Sequence, residues 1–173
     1  MVINLLMTEI VNKVAASGLV TFNLENYYTP GERVELDIKD WLYEGLVLRE
    51  KEFREALKNY NWSVFGNKYV AVFCSADAIV PTWAYMLIAT CLHPFAKKII
   101  FGNLTDLEKS LFTEALNQID FSQFKDERVV IKGCSKIEVP ESIYVEVTNR
   151  LMPYAKSIMF GEPCSTVPVY KRK

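Results

Sequence analysis

Residues 74–102 (CSADAIVPTWAYMLIATCLHPFAKKIIFG) and 134–161 (CSKIEVPESIYVEVTNRLMPYAKSIMFG) match at 12 of 28 aligned positions once a one-residue gap is allowed, where chance gives about two. The identities run through Cys74 and Cys134, Ser75 and Ser135, Val80 and Val139, Pro81 and Pro140, Tyr85 and Tyr144, and on to Gly102 and Gly161. The register extends upstream, because FREALKNYNWSVF (53–65) lies over FTEALNQIDFSQF (112–124) with Phe, Glu, Ala, Leu, Ser and Phe at the same spacing. A chain that says the same thing twice has to fold as two similar pieces. We read an internal duplication, residues 46–102 and 103–161.

Each copy predicts helix, strand, helix, strand. Residues 46–60 carry a helical apolar face at Val47, Leu48, Phe53, Ala56 and Leu57, and 68–73 is a short apolar run suited to a buried strand. A second helix begins at Pro81, whose fixed φ and missing N–H suit a first helical position, and a strand follows over 98–101. The second copy repeats this with helix 105–118, strand 128–133, helix 140–152 and strand 157–160. Strands that alternate with helices and read as unbroken apolar runs imply a parallel sheet with right-handed crossovers. With a further strand at 33–38, the expectation is an α/β fold: a single domain with a doubly wound, mostly parallel sheet of about five strands. Residues 1–32 form an N-terminal extension with a helix from Thr8 to Gly18, a strand over 19–24 and a turn at Pro30-Gly31; residues 162–173 are a tail. The extension is expected either to cover a sheet edge or to reach a second subunit in a homodimer.

Composition then excludes whole classes. A chain of 173 residues buries roughly 70% of its unfolded surface without disulfides or metal. Its formal net charge is -1, and the one basic cluster, Lys171-Arg172-Lys173, reads as a solvated terminus, so no nucleic acid partner is expected. The longest apolar run, 78–92, is too short for a membrane span and is interrupted by Pro81, so no membrane partner is expected either. The amino terminus lacks a basic segment ahead of a long apolar stretch, which points to a cytoplasmic protein with its four cysteines reduced.

The cysteines carry the functional expectation. Cys-Ser followed by Val-Pro occurs at 74–81, 134–140 and 164–168, each time after a predicted strand. Strand C-termini of a parallel sheet share one edge, where ligands of open α/β sheets bind. Cys74, Cys134 and Cys164 are therefore expected on a common rim with Ser75, Asp77, Ser135, Glu162 and Ser165 as binding residues. Three thiolates with Asp77, Glu162 or water suit tetrahedral zinc or an iron-sulfur cluster. Strand spacing of about 4.8 Å favours Cys134 with Cys164 over any pairing with Cys74. Two other readings stand beside this one: a reactive thiol in an enzyme acting on a small molecule, or cysteines that pack as small apolar residues while the serines cap helices. Cys91 and His93 end a crossover helix and fall on the opposite rim. Asp37 and Asp40 are expected to cap a helix, and Trp41, Trp62, Trp83, Tyr85 and Tyr144 to form core or crevice walls. No P-loop, GxGxxG, nucleophile elbow or CxxC is present.

With VFCSADAIVPTWAYML, VVIKGCS and KSIMFGEPCSTVPVYK in view, the chain resembles a bacterial family catalogued as domain of unknown function 2480, over nearly its whole length. The resemblance implies no assigned activity and no catalytic residue. It implies an accessory, thiol-bearing role beside iron-sulfur assembly proteins. The expected function is that of a binding or accessory module with a cysteine-lined site at the C-terminal edge of its sheet.

Overall fold

The computed structural model describes residues 18–133 and 136–173. They fall into two compact units, Tyr27–Gln118 and the residues up to Asn26 with Ile119–Lys173.

In the first of these, β2 (Arg33–Asp37), β3 (Tyr69–Phe73) and β4 (Lys98–Phe101) form a three-stranded sheet in that order, with both pairings parallel. β3 is central, and its first four residues, Tyr-Val-Ala-Val, are buried, as a strand covered on both faces requires. The crossovers α1 (Glu50–Asn59) and α2 (Thr82–Leu92) pack on one face, where Phe53, Leu57, Ala84 and Ile88 meet Leu36 and Val72. α3 (Leu104–Leu116) sets Leu107 and Leu111 against Tyr69, Ala71 and Ile100 on the other. Its start is fixed by a reciprocal capping box, Asn103 accepting from the Asp106 N–H and Asp106 from the Asn103 N–H.

In the second unit, β1 (Leu19–Asn23), β5 (Arg128–Lys132), β6 (Ser157–Glu162) and β7 (Ser165–Lys171) form a four-stranded sheet in the order β1-β5-β6-β7. The first two pairings are parallel and the last is antiparallel. α4 (Glu141–Leu151) is the crossover from β5 to β6 and buries Ile143, Val147 and Leu151. Phe22 stacks on Phe121 at 5.9 Å and meets Phe124 at 5.6 Å.

The expectation of one sheet of about five strands is corrected to two sheets carrying seven strands among the described residues. The reason lies in β1, which pairs in parallel with β5 from Leu19↔Arg128 to Asn23↔Lys132 and makes β5 the centre of its own sheet. The tail is also a strand: Pro163 and Cys164 make a two-residue turn between Glu162 and Ser165, and β7 runs back along β6. Pro168 is tolerated there because β7 is an edge strand with a register shift opposite Ile158 and Met159. The first helix begins at Glu50 rather than 46, since Glu44 (φ 50) and Gly45 (φ 70) form a tight turn closed by Tyr43 N–H donating to the Val47 carbonyl at 2.7 Å. The helix expected from Thr8 to Gly18 lies outside the described residues.

Matching local geometry recurs between positions 59 residues apart. Asn61 and Asp120 each cap a short 3-10 turn, accepting from Ser63 N at 3.2 Å and Ser122 N at 2.9 Å. Asn67 and Asp126 both hold φ 61. Pro81 and Pro140 precede α2 and α4 with φ -62 and -58. Tyr85 meets Phe101 edge-on at 4.9 Å and Tyr144 meets Phe160 at 5.7 Å. The same spacing carries Cys74 onto Gly133, not onto Cys134, so these matching positions need no gap.

Candidate functional site

The C-terminal edge of the four-stranded sheet is hollow. β5 delivers Lys132 and Gly133 to it, β6 delivers Phe160, Gly161 and Glu162, α4 supplies Tyr144, and Glu25 and Lys136 complete a polar cleft of about 510 Å³. Lys132 Nζ lies 3.2 Å from Glu162 Oε1, bridging the ends of two adjacent strands. Gly161 is required: its φ is 124, and a Cβ there would lie 2.5 Å from the Ser165 carbonyl oxygen. Beside the cleft runs an apolar groove of about 670 Å³ lined by Ile131, Val139, Val145, Val169 and, again, Tyr144 and Phe160. The edge-to-face Tyr144–Phe160 pair is thus the wall that both hollows share. Val145, Phe160 and Val169 are exposed despite their size.

Cys74 follows β3 in the three-stranded sheet and Cys164 follows β6 in the four-stranded one. Cys74 is half-buried against the apolar core, its thiol donating to the Ala76 carbonyl at 3.7 Å, while Cys164 is exposed in the hairpin turn. Cys134 and Ser135 lie outside the described residues. Among the described residues no three His, Cys, Asp or Glu side chains group as metal ligands. Asp77 is exposed, Glu162 is in the cleft, and Ser165 closes the hairpin opposite Glu162.

Ser75 does not cap α2; neither α2 nor α4 has a side-chain cap. Its hydroxyl donates to Asp37 Oδ2 at 2.5 Å and its N–H to Oδ1 at 3.1 Å. Asp37 caps the turn Ile38–Trp41 by accepting from the Lys39 N–H, as expected. Burial pushes the Asp37 carboxyl up, but donation from Ser75 and Lys39 outweighs it and holds the group below the usual carboxylate range. Burial, with the nearby Cys74 and Asp37, raises the Tyr85 hydroxyl above its ordinary value. Cys91 packs on the core and His93 ends α2.

The cleft's own residues Lys132, Lys136 and Glu25 were missed in the sequence, where lysines at a strand end look like solvated surface. A usable signal lay in the repeat, which pairs Tyr85 with Tyr144 and Phe101 with Phe160.

Fold and site together define a mixed α/β protein of largely parallel sheets with a two-part hollow at strand C-termini. The chain belongs to the family described as protein of unknown function, DUF2480, whose model matches residues 8–172. No curated protein and no solved structure matches it.

Proposed function

We propose that this chain is a binding or accessory module of the cytoplasm that holds a small amphipathic anion at the C-terminal edge of its four-stranded sheet. The observation that carries the reading is the Tyr144–Phe160 wall shared by a polar cleft and an apolar groove. A ligand that spans both has a charged end beside Lys136, which has no ion-pair partner among the described residues, and an apolar body over Ile131, Val139 and Val169. Volumes of this size are those of small-molecule sites. Cys164 stands in the hairpin that borders the cleft, and Cys134 falls in sequence between the cleft residues Gly133 and Lys136. A thiol at this edge gives the site a point of contact with sulfur or metal chemistry carried by a partner, such as iron-sulfur assembly proteins. The geometry that recurs every 59 residues supports reading 46–102 and 103–161 as products of an internal duplication.

Calorimetric titration with decanoate, a carboxylate on a saturated chain, tests this. Phe160→Ser and Lys136→Ala each weaken binding about tenfold, equivalent to about 1.4 kcal/mol, while Lys97→Ala, in the other unit, leaves it unchanged. Affinity that is absent, or indifferent to both site variants, overturns the reading.

A further inference from the structure

β4 is an open edge. Where β6 has β7 on its outer side, β4 has no outer partner among the described residues, and Lys98, Ile99 and Ile100 are half-exposed with Phe101 70% exposed. Its hydrogen-bonding groups face two ways. The Gly102 N–H donates to the Val72 carbonyl of β3 at 3.0 Å, so even-numbered positions aim inward and Ile99 and Phe101 aim their N–H and C=O groups outward. Side chains alternate in step: Ile99 and Phe101 lie on the α2 side, Lys98 and Ile100 on the α3 side.

Each side of this edge also carries a hollow. On the α2 side Ala89, Thr90, His93, Ala96 and Ile99, with the lysines at 97 and 98, line a groove of about 500 Å³, continued by the exposed Met86 one turn along the helix. On the α3 side Lys98, Asp106, Lys109, Ser110, Thr113 and Glu114 line a polar groove of about 510 Å³, in which Glu114 pairs with Lys98 and Asp106 with Lys109 at 3.1 Å. An added strand therefore has to bring apolar side chains to one face and polar ones that fit a charge-balanced groove to the other. β4 itself is such a strand.

We propose that two copies of this chain associate through β4, antiparallel across a two-fold axis at Ile100, to form one continuous sheet. The register follows from parity. A two-fold axis perpendicular to the sheet keeps the α2 faces of both copies together, so odd positions must oppose odd ones. Pairing Ile99 with Phe101 of the second copy satisfies this and joins the outward-facing groups of both in two reciprocal hydrogen-bonded pairs. Phe101 then lies on the second copy's Ile99, over the stripe of Ala89 and His93. Lys98 falls opposite Gly102 of the second copy. That glycine lies under Asp106, whose Oδ2 would be 2.6 Å from a Cβ built there, so the ammonium of each copy meets the carboxylate of the other. Within each chain Lys98 reaches Glu114 at 2.5 Å and Lys109 reaches Asp106 at 3.1 Å, so the contact joins two ion pairs into one network of alternating charge. An edge so apolar and so lightly charged is otherwise an aggregation hazard.

Sedimentation equilibrium of the full chain is predicted to give twice 19.9 kDa. Phe101→Pro removes an N–H that β3 does not use, and is predicted to halve the mass while circular dichroism still reports the folded chain. Lys98→Glu and Asp106→Lys, each alone, set like charges against each other and weaken association about tenfold, equivalent to about 1.4 kcal/mol. Mixing those two variants restores the dimer, because the carboxylate introduced at 98 then faces the ammonium introduced at 106. Wild-type protein at single-chain mass, a Phe101→Pro variant that stays dimeric, or no recovery on mixing overturns the proposal.

Discussion

Ser75 holds Asp37 by two hydrogen bonds, hydroxyl to Oδ2 at 2.5 Å and N–H to Oδ1 at 3.1 Å, and so clasps the C-terminal end of β3 to that of β2. Asp37 in turn caps the turn that follows β2. The carboxylate organises two segments of backbone, and the clasp acts on stability.

Its pH dependence has a definite sign. The Asp37 pKa is depressed in the folded chain, against about 3.9 unfolded. Its contribution is therefore complete above the unfolded value and is lost as pH falls through the folded one. Thermal unfolding of wild type and Asp37→Asn between neutral pH and acid is predicted to show the variant less stable near neutrality, by about 1 kcal/mol for a clasp partly open to solvent. The gap should close as the pH falls through the depressed folded-state value. A gap that is constant with pH contradicts the assignment.

Gly161 and Gly133 border the same cleft but make different demands. Gly161→Ala places a Cβ against backbone at 2.5 Å with φ 124, whereas Gly133→Ala finds its nearest neighbour, the Tyr144 hydroxyl, at 3.4 Å. The first substitution is predicted to cost about 2 kcal/mol or more and the second under about 1 kcal/mol in denaturant unfolding. Equal costs would remove the argument that the β6–β7 hairpin depends on a left-handed glycine.

Cysteine accessibility separates the thiols. Cys164 is exposed, and Cys74 and Cys91 are half-buried against the core. Alkylation with iodoacetamide, followed by peptide mass spectrometry, is predicted to modify Cys164 at least about tenfold faster than Cys91, since packing on the core limits access to the Cys91 sulfur.

Helix and strand positions were legible in the sequence because period and length agreed: α2, α4, β3 and β5 fall within a residue or two of expectation. What was not legible was partnership. Leu19–Asn23 reads as a strand, but nothing in its side chains says that it lies beside Arg128–Lys132, since pairing in parallel sheets joins segments far apart in sequence. Ser165–Lys171 was hidden by Pro168, which ordinarily argues against a strand. The Cys-Ser motif recurs only with a gap, whereas caps and turns recur at a constant spacing that sets Cys74 opposite Gly133. Tyr144 and Phe160 were visible as repeated residues, and only the fold shows them as one wall between two hollows.

Amide chemical-shift mapping of the labelled chain during titration with decanoate addresses the binding edge most directly. Saturable shifts concentrated at Gly133, Lys136, Tyr144, Phe160 and Gly161, and absent from the matching residues Tyr85 and Phe101, are predicted. Shifts spread evenly over both units, or centred on the three-stranded sheet, would contradict a ligand site at the end of β5 and β6.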